Sequence, residues 1–170
     1  TPGGDTAATE SLVDYLRAMF GTNIRAFVPQ LALSAGTMIA CACKEIWMGK
    51  QSSIGPIAPQ FGGLPATGIR DEFERAAEEM KQDQDRALVW QPILRQLQPS
   101  VRIQCDRVIE WSKDMVTKWL ETGMFGGMSN KAELATRVVD NLMSAELTKL
   151  HARHINADKA REFGLVVKNL

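Results

Sequence analysis

Apolar positions along this chain change their spacing several times, and each change predicts an element. Leu12, Tyr15, Leu16 and Met19 recur three or four residues apart, which predicts a helix over 7–20 with Thr6 or Thr9 as its cap. Gly21 and Asn23 end that pattern. Residues 24–28 read as a short strand terminated by Pro29, and a loop then leads into Ser34. The small and apolar side chains of 35–43 suit a closely packed helix. Residues 45–48 read as another strand, closed by Gly49. Ser52, Ser53, Gly55, Pro56 and Pro59 make the following region a shaped loop, continuing through Gly62-Gly63 and Pro65.

The later part is mainly helical. A helix is predicted from Arg70 to Trp90, interrupted at Pro92, and a second from Val101 to Leu120 after Pro99. Val108, Trp111, Met115 and Trp119, with Ile109 and Leu120, form one broad apolar face on the second helix, suited to a core or a subunit interface. Gly123, Gly126 and Gly127 open a turn, and Lys131 to Leu142 resumes helical spacing. Asn156 is the expected cap of a helix over 157–163, which Gly164 stops before a last strand at 165–167. Short strands alternating with helices, then helices alone, predict one α/β domain over 1–170, with a sheet core and helices packed outside it. An opening strand is expected upstream of Thr1.

Charge narrows the function classes. Twenty basic and twenty acidic side chains among the 170 residues give zero formal charge, so attraction to nucleic acid or to an anionic membrane is not expected. Cys41, Cys43 and Cys105 are too few for an even disulfide framework and read as buried thiols. Their spacing makes no zinc pattern with the two histidines, so no metal is expected. No apolar run of 18 residues is present. Association with a membrane through an upstream segment is left open.

Ser34 is where the chemistry concentrates. It precedes a helix and is followed by Ala35-Gly36, whose small side chains let a substrate backbone approach. Its hydroxyl has two readings: a helix cap, or a nucleophile for a carbonyl once a base removes its proton. The amides around Gly3-Gly4 and that of Ala35 are suited to stabilising the oxyanion such an attack generates. His151 and His154 are spaced by one helical turn and read as hydrogen-bonding residues or as alternative bases.

The ordered strings Thr1-Pro2-Gly3-Gly4-Asp5, Val28-Pro29-Gln30, Ser34-Ala35-Gly36-Thr37-Met38-Ile39-Ala40 and Met48-Gly49-Lys50-Gln51-Ser52-Ser53-Ile54-Gly55-Pro56-Ile57 resemble the serine dehydrogenase proteinase family. His151-Ala152-Arg153-His154-Ile155 and the ending Gly164-Leu165-Val166-Val167 extend the resemblance over nearly the whole chain. That family lies within the Clp-protease/crotonase-like group, which also contains the signal peptide peptidase A enzymes. The resemblance implies an α/β fold with a ββα core and additional helices. It also implies Ser34 as nucleophile and the Gly4 and Ala35 amides as oxyanion donors.

Related signal peptide peptidases use a serine-lysine dyad, and Lys81 is the match in order and separation. Burial would lower its pKa enough to make it a base. Lys50 and His154 stand behind it as alternatives. Gly3, Gly36, Gly55 and Pro56 are assigned to substrate binding, the Gly55-Pro56 and Gly62-Gly63 loops being expected to be exposed. Ala58 departs from the family pattern, which has an acidic residue before this Pro-Gln pair. The chain shows no dinucleotide-binding glycine fingerprint, so dehydrogenase activity is discounted and no cofactor is expected. The leading expectation is a serine endopeptidase acting on a peptide or protein substrate, assembled as a homo-oligomer. A non-catalytic binding or assembly protein on the same scaffold, and an acyl-thioester enzyme, are the alternatives.

Overall fold

A computed structural model describes residues 4–144 and 154–170. The chain divides into one unit formed by 1–58 with 112–170 and a second formed by 59–111.

In the first unit, helix α1 (Thr6–Phe20) is capped by Asp5, whose Oδ1 accepts from the Ala8 amide at 2.9 Å. The cap falls on Asp5 rather than on the expected Thr6 or Thr9. The charged carboxylate of Asp5, one residue upstream of Thr6, takes the cap, and Thr9 instead donates its hydroxyl to the Asp5 carbonyl. Gly21 ends the helix with φ 66°.

Strand β1 (Arg25–Val28) is followed by the two-residue β2 (Leu31–Ala32), helix α2 (Ala35–Cys41) and strand β3 (Glu45–Met48). The two-residue β4 (Ser53–Ile54) pairs in parallel with β2, giving Leu31↔Ser53 and Ala32↔Ile54. These two strands occupy stretches read from the sequence as loops. β1 and β3 are parallel neighbours, and the C-terminal strand joins the other edge of β3. Val28, Ile46, Met48 and Val167 are buried on one face. The opposite face pairs Arg25 with Glu45 and stacks Phe27 on Trp47 at 5.9 Å.

A second unit begins with a tight hairpin. β5 (Gln60–Phe61) and β6 (Leu64–Pro65) are antiparallel and joined by Gly62-Gly63, with φ of 59° and 84°. Positive φ at both central residues is the twist-matched two-residue turn that glycine favours, where the sequence suggested only loop. Helix α3 (Ala66–Gln82) then stops at Asp83, whose extended backbone and side chain cap a short 3₁₀ turn before α4 (Ala87–Leu94). The single helix expected over 70–90 is therefore two: the Asp83 amide makes the last helical bond, to the Glu79 carbonyl at 3.0 Å, while its extended backbone and its side chain, which accepts from the Asp85 amide, start the next turn. Pro92 lies inside α4.

Helix α5 (Val101–Thr122) crosses from the second unit into the first. Its later half buries Met115, Val116, Trp119 and Leu120 in the core of the first unit. Helix α6 (Lys131–Leu142) and helix α7 (Ala157–Phe163) follow, then β7 (Val167–Asn169). Asn156 caps α7 by accepting from the Lys159 amide at 2.9 Å, and Gly164 ends it at φ 107°. Arg17 fastens α1 to the rest of the unit: its guanidinium donates to the carbonyls of Ala42 at 2.7 Å and Trp119 at 2.8 Å. Ala42 is the C-cap of α2, and Trp119 lies in the last turn of α5, where its carbonyl also accepts from the Gly123 amide at 2.9 Å, so the cation meets the negative ends of two helices.

Candidate active site

Ser34 sits at the N-cap of α2, its carbonyl accepting from the Met38 amide at 3.0 Å. The position is that of a cap, but the side chain makes no capping hydrogen bond. Its backbone also departs from the extended conformation usual at a cap, with φ 49° and ψ −111°. Among the described residues it is the one non-glycine with positive φ. Such a conformation costs about 1–3 kcal/mol and persists only where the surroundings impose it.

Those surroundings are a set of buried polar bonds centred on Thr37, a residue the sequence reading gave no role. The Thr37 hydroxyl lies 2.8 Å from the Ala32 carbonyl and 2.9 Å from that of Gly55, and accepts from the Gly55 amide at 3.2 Å. With one proton to give, it donates to one carbonyl at a time. The Gly55 amide also reaches the Ala32 carbonyl at 2.9 Å, and the Gly36 amide reaches that of Leu33 at 2.8 Å. A Cβ on Gly55 would come within 2.5 Å of Leu33 Cδ2 and 3.2 Å of Leu33 Cα. The absence of a side chain thus lets the β4 end press directly on the residue before Ser34.

This corrects one expectation. Gly55 and Pro56 are buried rather than forming an exposed loop, and Gly55 is bonded to Ala32 and Thr37; the reason is the parallel pairing of β4 with β2. Gly62-Gly63 is exposed, as expected, in the second unit.

The structure brings Gly4 and Ala35 together: a Cβ built on Gly4 would lie 3.5 Å from Ala35 Cβ. Gly4 is exposed while Ala35 is buried. As the first residue of α2, Ala35 has an amide with no carbonyl one helical turn behind it. Gly36 is half-buried and lines an apolar cavity of about 600 Å³ with Leu16, Ala26, Val28, Leu31 and Ile39. Gly3 and His151 lie outside the described residues.

The three base candidates separate. Lys81 is exposed next to the last residue of α3, in the second unit. The burial that would make it a base is not found there. Lys50 is exposed and lines a different cavity of about 330 Å³ with Asn156, Asp158 and Arg161. His154 lies outside any helix or strand, beside the antiparallel bridge between Ile155 and Ile54. Its Nδ1 is hydrogen-bonded to Ser53 Oγ at 2.8 Å. Ala58 is fully buried.

The cysteines are buried and free, as read from the sequence. Burial pushes Cys41 up to about 12 and Cys43 up to about 11, so neither thiol is a nucleophile near neutral pH. Among the described residues, no group of three or more His, Cys, Asp or Glu is placed to hold a metal ion, and no helix is long and apolar enough to cross a membrane.

A family model described as ClpP-like SDH-type serine proteinase matches residues 1–169. The chain belongs to that family. Its α/β architecture of parallel strands and packed helices accords with the ββα core of the Clp-protease/crotonase-like group. Two uncharacterized proteins of Methanocaldococcus jannaschii, MJ1495 and MJ0137, are 34% and 36% identical over 83 and 84 residues. Each match covers 49% of this chain, but only 28% and 29% of the relatives' own lengths. The chain thus spans less than a third of those proteins. No solved structure matches.

Proposed function

We propose that this chain is the nucleophile-bearing domain of a serine endopeptidase acting on peptide or protein substrates. The observation that carries this reading is Ser34: a serine at a helix start, strained into positive φ, with its hydroxyl left out of the capping bond it could make. A residue present only to cap would adopt the relaxed extended backbone and use its oxygen.

In the proposed reaction Ser34 Oγ attacks the scissile carbonyl as a base takes its proton. The carbonyl electron pair moves onto oxygen, where the Gly4 and Ala35 amides donate to it. Collapse of the tetrahedral species breaks the C–N bond, and the proton passes to the departing amine. Water then releases the acyl group from Ser34 by the same steps in reverse. The resemblance assigns the base role to Lys81. Gly36 would lie along the substrate backbone, and assembly into a homo-oligomer belongs to the same reading.

A fluorophosphonate probe tests it. Covalent labelling that maps to the peptide containing Ser34, and disappears in Ser34→Ala with the far-ultraviolet circular dichroism unchanged, is the expected result. A folded chain that takes up no probe would overturn it and leave a binding or assembly role for the scaffold.

A further inference from the structure

Helices α1 and α2 pack against each other and are tied at both ends. At their starts, Gly4 approaches Ala35, a Cβ built on the glycine lying 3.5 Å from that of Ala35. At their far ends, the Arg17 guanidinium of α1 donates to the carbonyl of Ala42, the C-cap of α2, at 2.7 Å. Start meets start and end meets end, so the two helices run in the same direction. Their lengths agree with this. At about 1.5 Å per residue, Arg17 lies about 17 Å beyond the start of α1, and Ala42 about 10 Å beyond Ala35. A helical side chain leans back towards the N-terminus of its own helix, and the reach of arginine closes the difference.

The guanidinium joins a third element to the pair. Nη2 has one hydrogen for the Ala42 carbonyl and one for that of Trp119, at 2.7 and 2.8 Å, and Nη1 donates to Thr122 Oγ1 at 2.8 Å. Gly123, which follows α5, leaves room for this: a Cβ there would come within 2.8 Å of Arg17 Nη2 and 3.2 Å of the Ala42 carbonyl oxygen. A planar fork serves three acceptors at once, whereas a lysine ammonium is a point charge on a flexible stem. The apolar core, by contrast, grips α1 lightly. Only Thr9 and Val13 of its 15 residues are buried, so beyond Val13 the guanidinium is what ties the helix down.

We infer that Arg17 is a positioning residue for the oxyanion site: it fixes how far α1 extends along α2, and with that the separation of the Gly4 and Ala35 amides. The inference rests on the Ser34 reading above. Two amides serve one developing oxyanion only when both lie about 2.7–3.1 Å from it, and a misplacement of about 1 Å costs about 100-fold in rate. Sliding α1 by a fraction of a helical turn is a displacement of that size. Arg17 touches neither substrate nor reacting atoms, and acts through the two helix starts.

Saturation kinetics of fluorophosphonate labelling on the full chain test this, together with the amide resonances of Gly4 and Ala35. Arg17→Ala and Arg17→Lys are expected to lower the limiting labelling rate about 10- to 100-fold and to leave the half-saturating probe concentration within about twofold. Guanidinium added at low millimolar concentration should restore part of the rate of Arg17→Ala. A mere loss of stability would not respond so, because that ion weakens the fold. Gly123→Ala, which crowds Nη2, should slow labelling without such rescue. The Gly4 and Ala35 resonances are expected to move in Arg17→Lys. Unmoved resonances would overturn the inference even where labelling slows. Parent-rate labelling in folded Arg17→Lys, or in Gly123→Ala should the Arg17 variants not fold, would overturn it equally. A parent chain that takes up probe nowhere, or at a residue other than Ser34, would instead end the Ser34 reading, while the resonances still report whether Arg17 sets the approach of Gly4 to Ala35.

Discussion

The two units of this chain build their cores by different means. The first buries a continuous cluster running from Val13 through the sheet to Val167, and stitches its loops with buried hydrogen bonds around Thr37 and partly buried ones from Arg17. The second has a smaller cluster, Ala66, Ile69, Val101 and Cys105, with Phe61, Phe73, Val108 and Ile109 packed around it, and buries Ala76 and Trp90 apart from that cluster. It leaves Leu88 at 77% and Ile103 at 56% exposed. A core that small contributes little net stability against the entropy of ordering its helices. The strained serine is found in the first unit for a physical reason: an unfavourable backbone conformation survives only where many independent contacts fix it at once. Each unit also carries an arginine–glutamate–tryptophan bridge, Arg25–Glu45–Trp47 in the first and Arg75–Glu79–Trp90 in the second. The difference therefore lies in buried backbone support rather than in surface polar contacts.

The largest effect that would sharpen this contrast is at the serine itself. Ser34→Gly should lose fluorophosphonate labelling by at least about 10³-fold, yet gain about 1 kcal/mol of stability, since glycine accepts φ 49° without penalty. Urea unfolding measures the second part, and a destabilised glycine variant would show that the conformation is not strained.

Next in size is a pair of glycine substitutions. Gly55→Ala meets the Leu33 backbone at 3.2 Å and should cost about 1–3 kcal/mol. Gly62→Ala, with open space around it but φ of 59°, should cost only about 1 kcal/mol through its turn. Equal losses in the unfolding midpoints would erase the distinction between the units.

Thr37→Val keeps the shape of the side chain and removes its hydroxyl, so the buried carbonyls of Ala32 and Gly55 lose that donor. A loss of about 1–3 kcal/mol in urea unfolding, with slower labelling of Ser34, is expected.

The smallest effects belong to the surface bridges. Hydrogen bonds from Arg25, then Trp47, hold Glu45 below its ordinary value of 4.5, and Arg75, then Trp90, do the same for Glu79. A depressed carboxylate stabilises the fold above the unfolded value, and that contribution is lost as pH falls through the folded one. Glu45→Gln and Glu79→Gln should therefore lower the thermal midpoint slightly at pH 7 and leave it unchanged once the carboxylates are protonated. A difference that persists in acid would assign these residues a role other than charge.

Features set by neighbouring residues are legible in the sequence. α6 falls on the residues its apolar spacing marks, and Asn156 and Gly164 bracket α7, because caps and helical faces are decided within one or two turns. The serine loop and the Gly4–Ala35 approach were legible as a constellation through their resemblance to a family motif. The two-residue strands β2 and β4 were not, since each exists only by pairing with the other across more than 20 positions. Asp5 as cap and the Gly62-Gly63 turn had local signals that were outweighed by the threonines and by the run of loop-forming residues around them.

The sequence by itself therefore determined most of the helical segments, the ends of α6 and α7, the α/β class and the serine around which the chemistry gathers, because these depend on short-range periodicity and on side chains close in the chain. Tertiary structure alone decided that Ser34 is bent into positive φ with its hydroxyl unspent, that Thr37 and Gly55 hold it there, and that His154 meets Ser53. The Thr37–Gly55 and Ser53–His154 bonds, at 2.9 and 2.8 Å, join groups 18 and 101 positions apart, and such contacts form only after the intervening strands have paired.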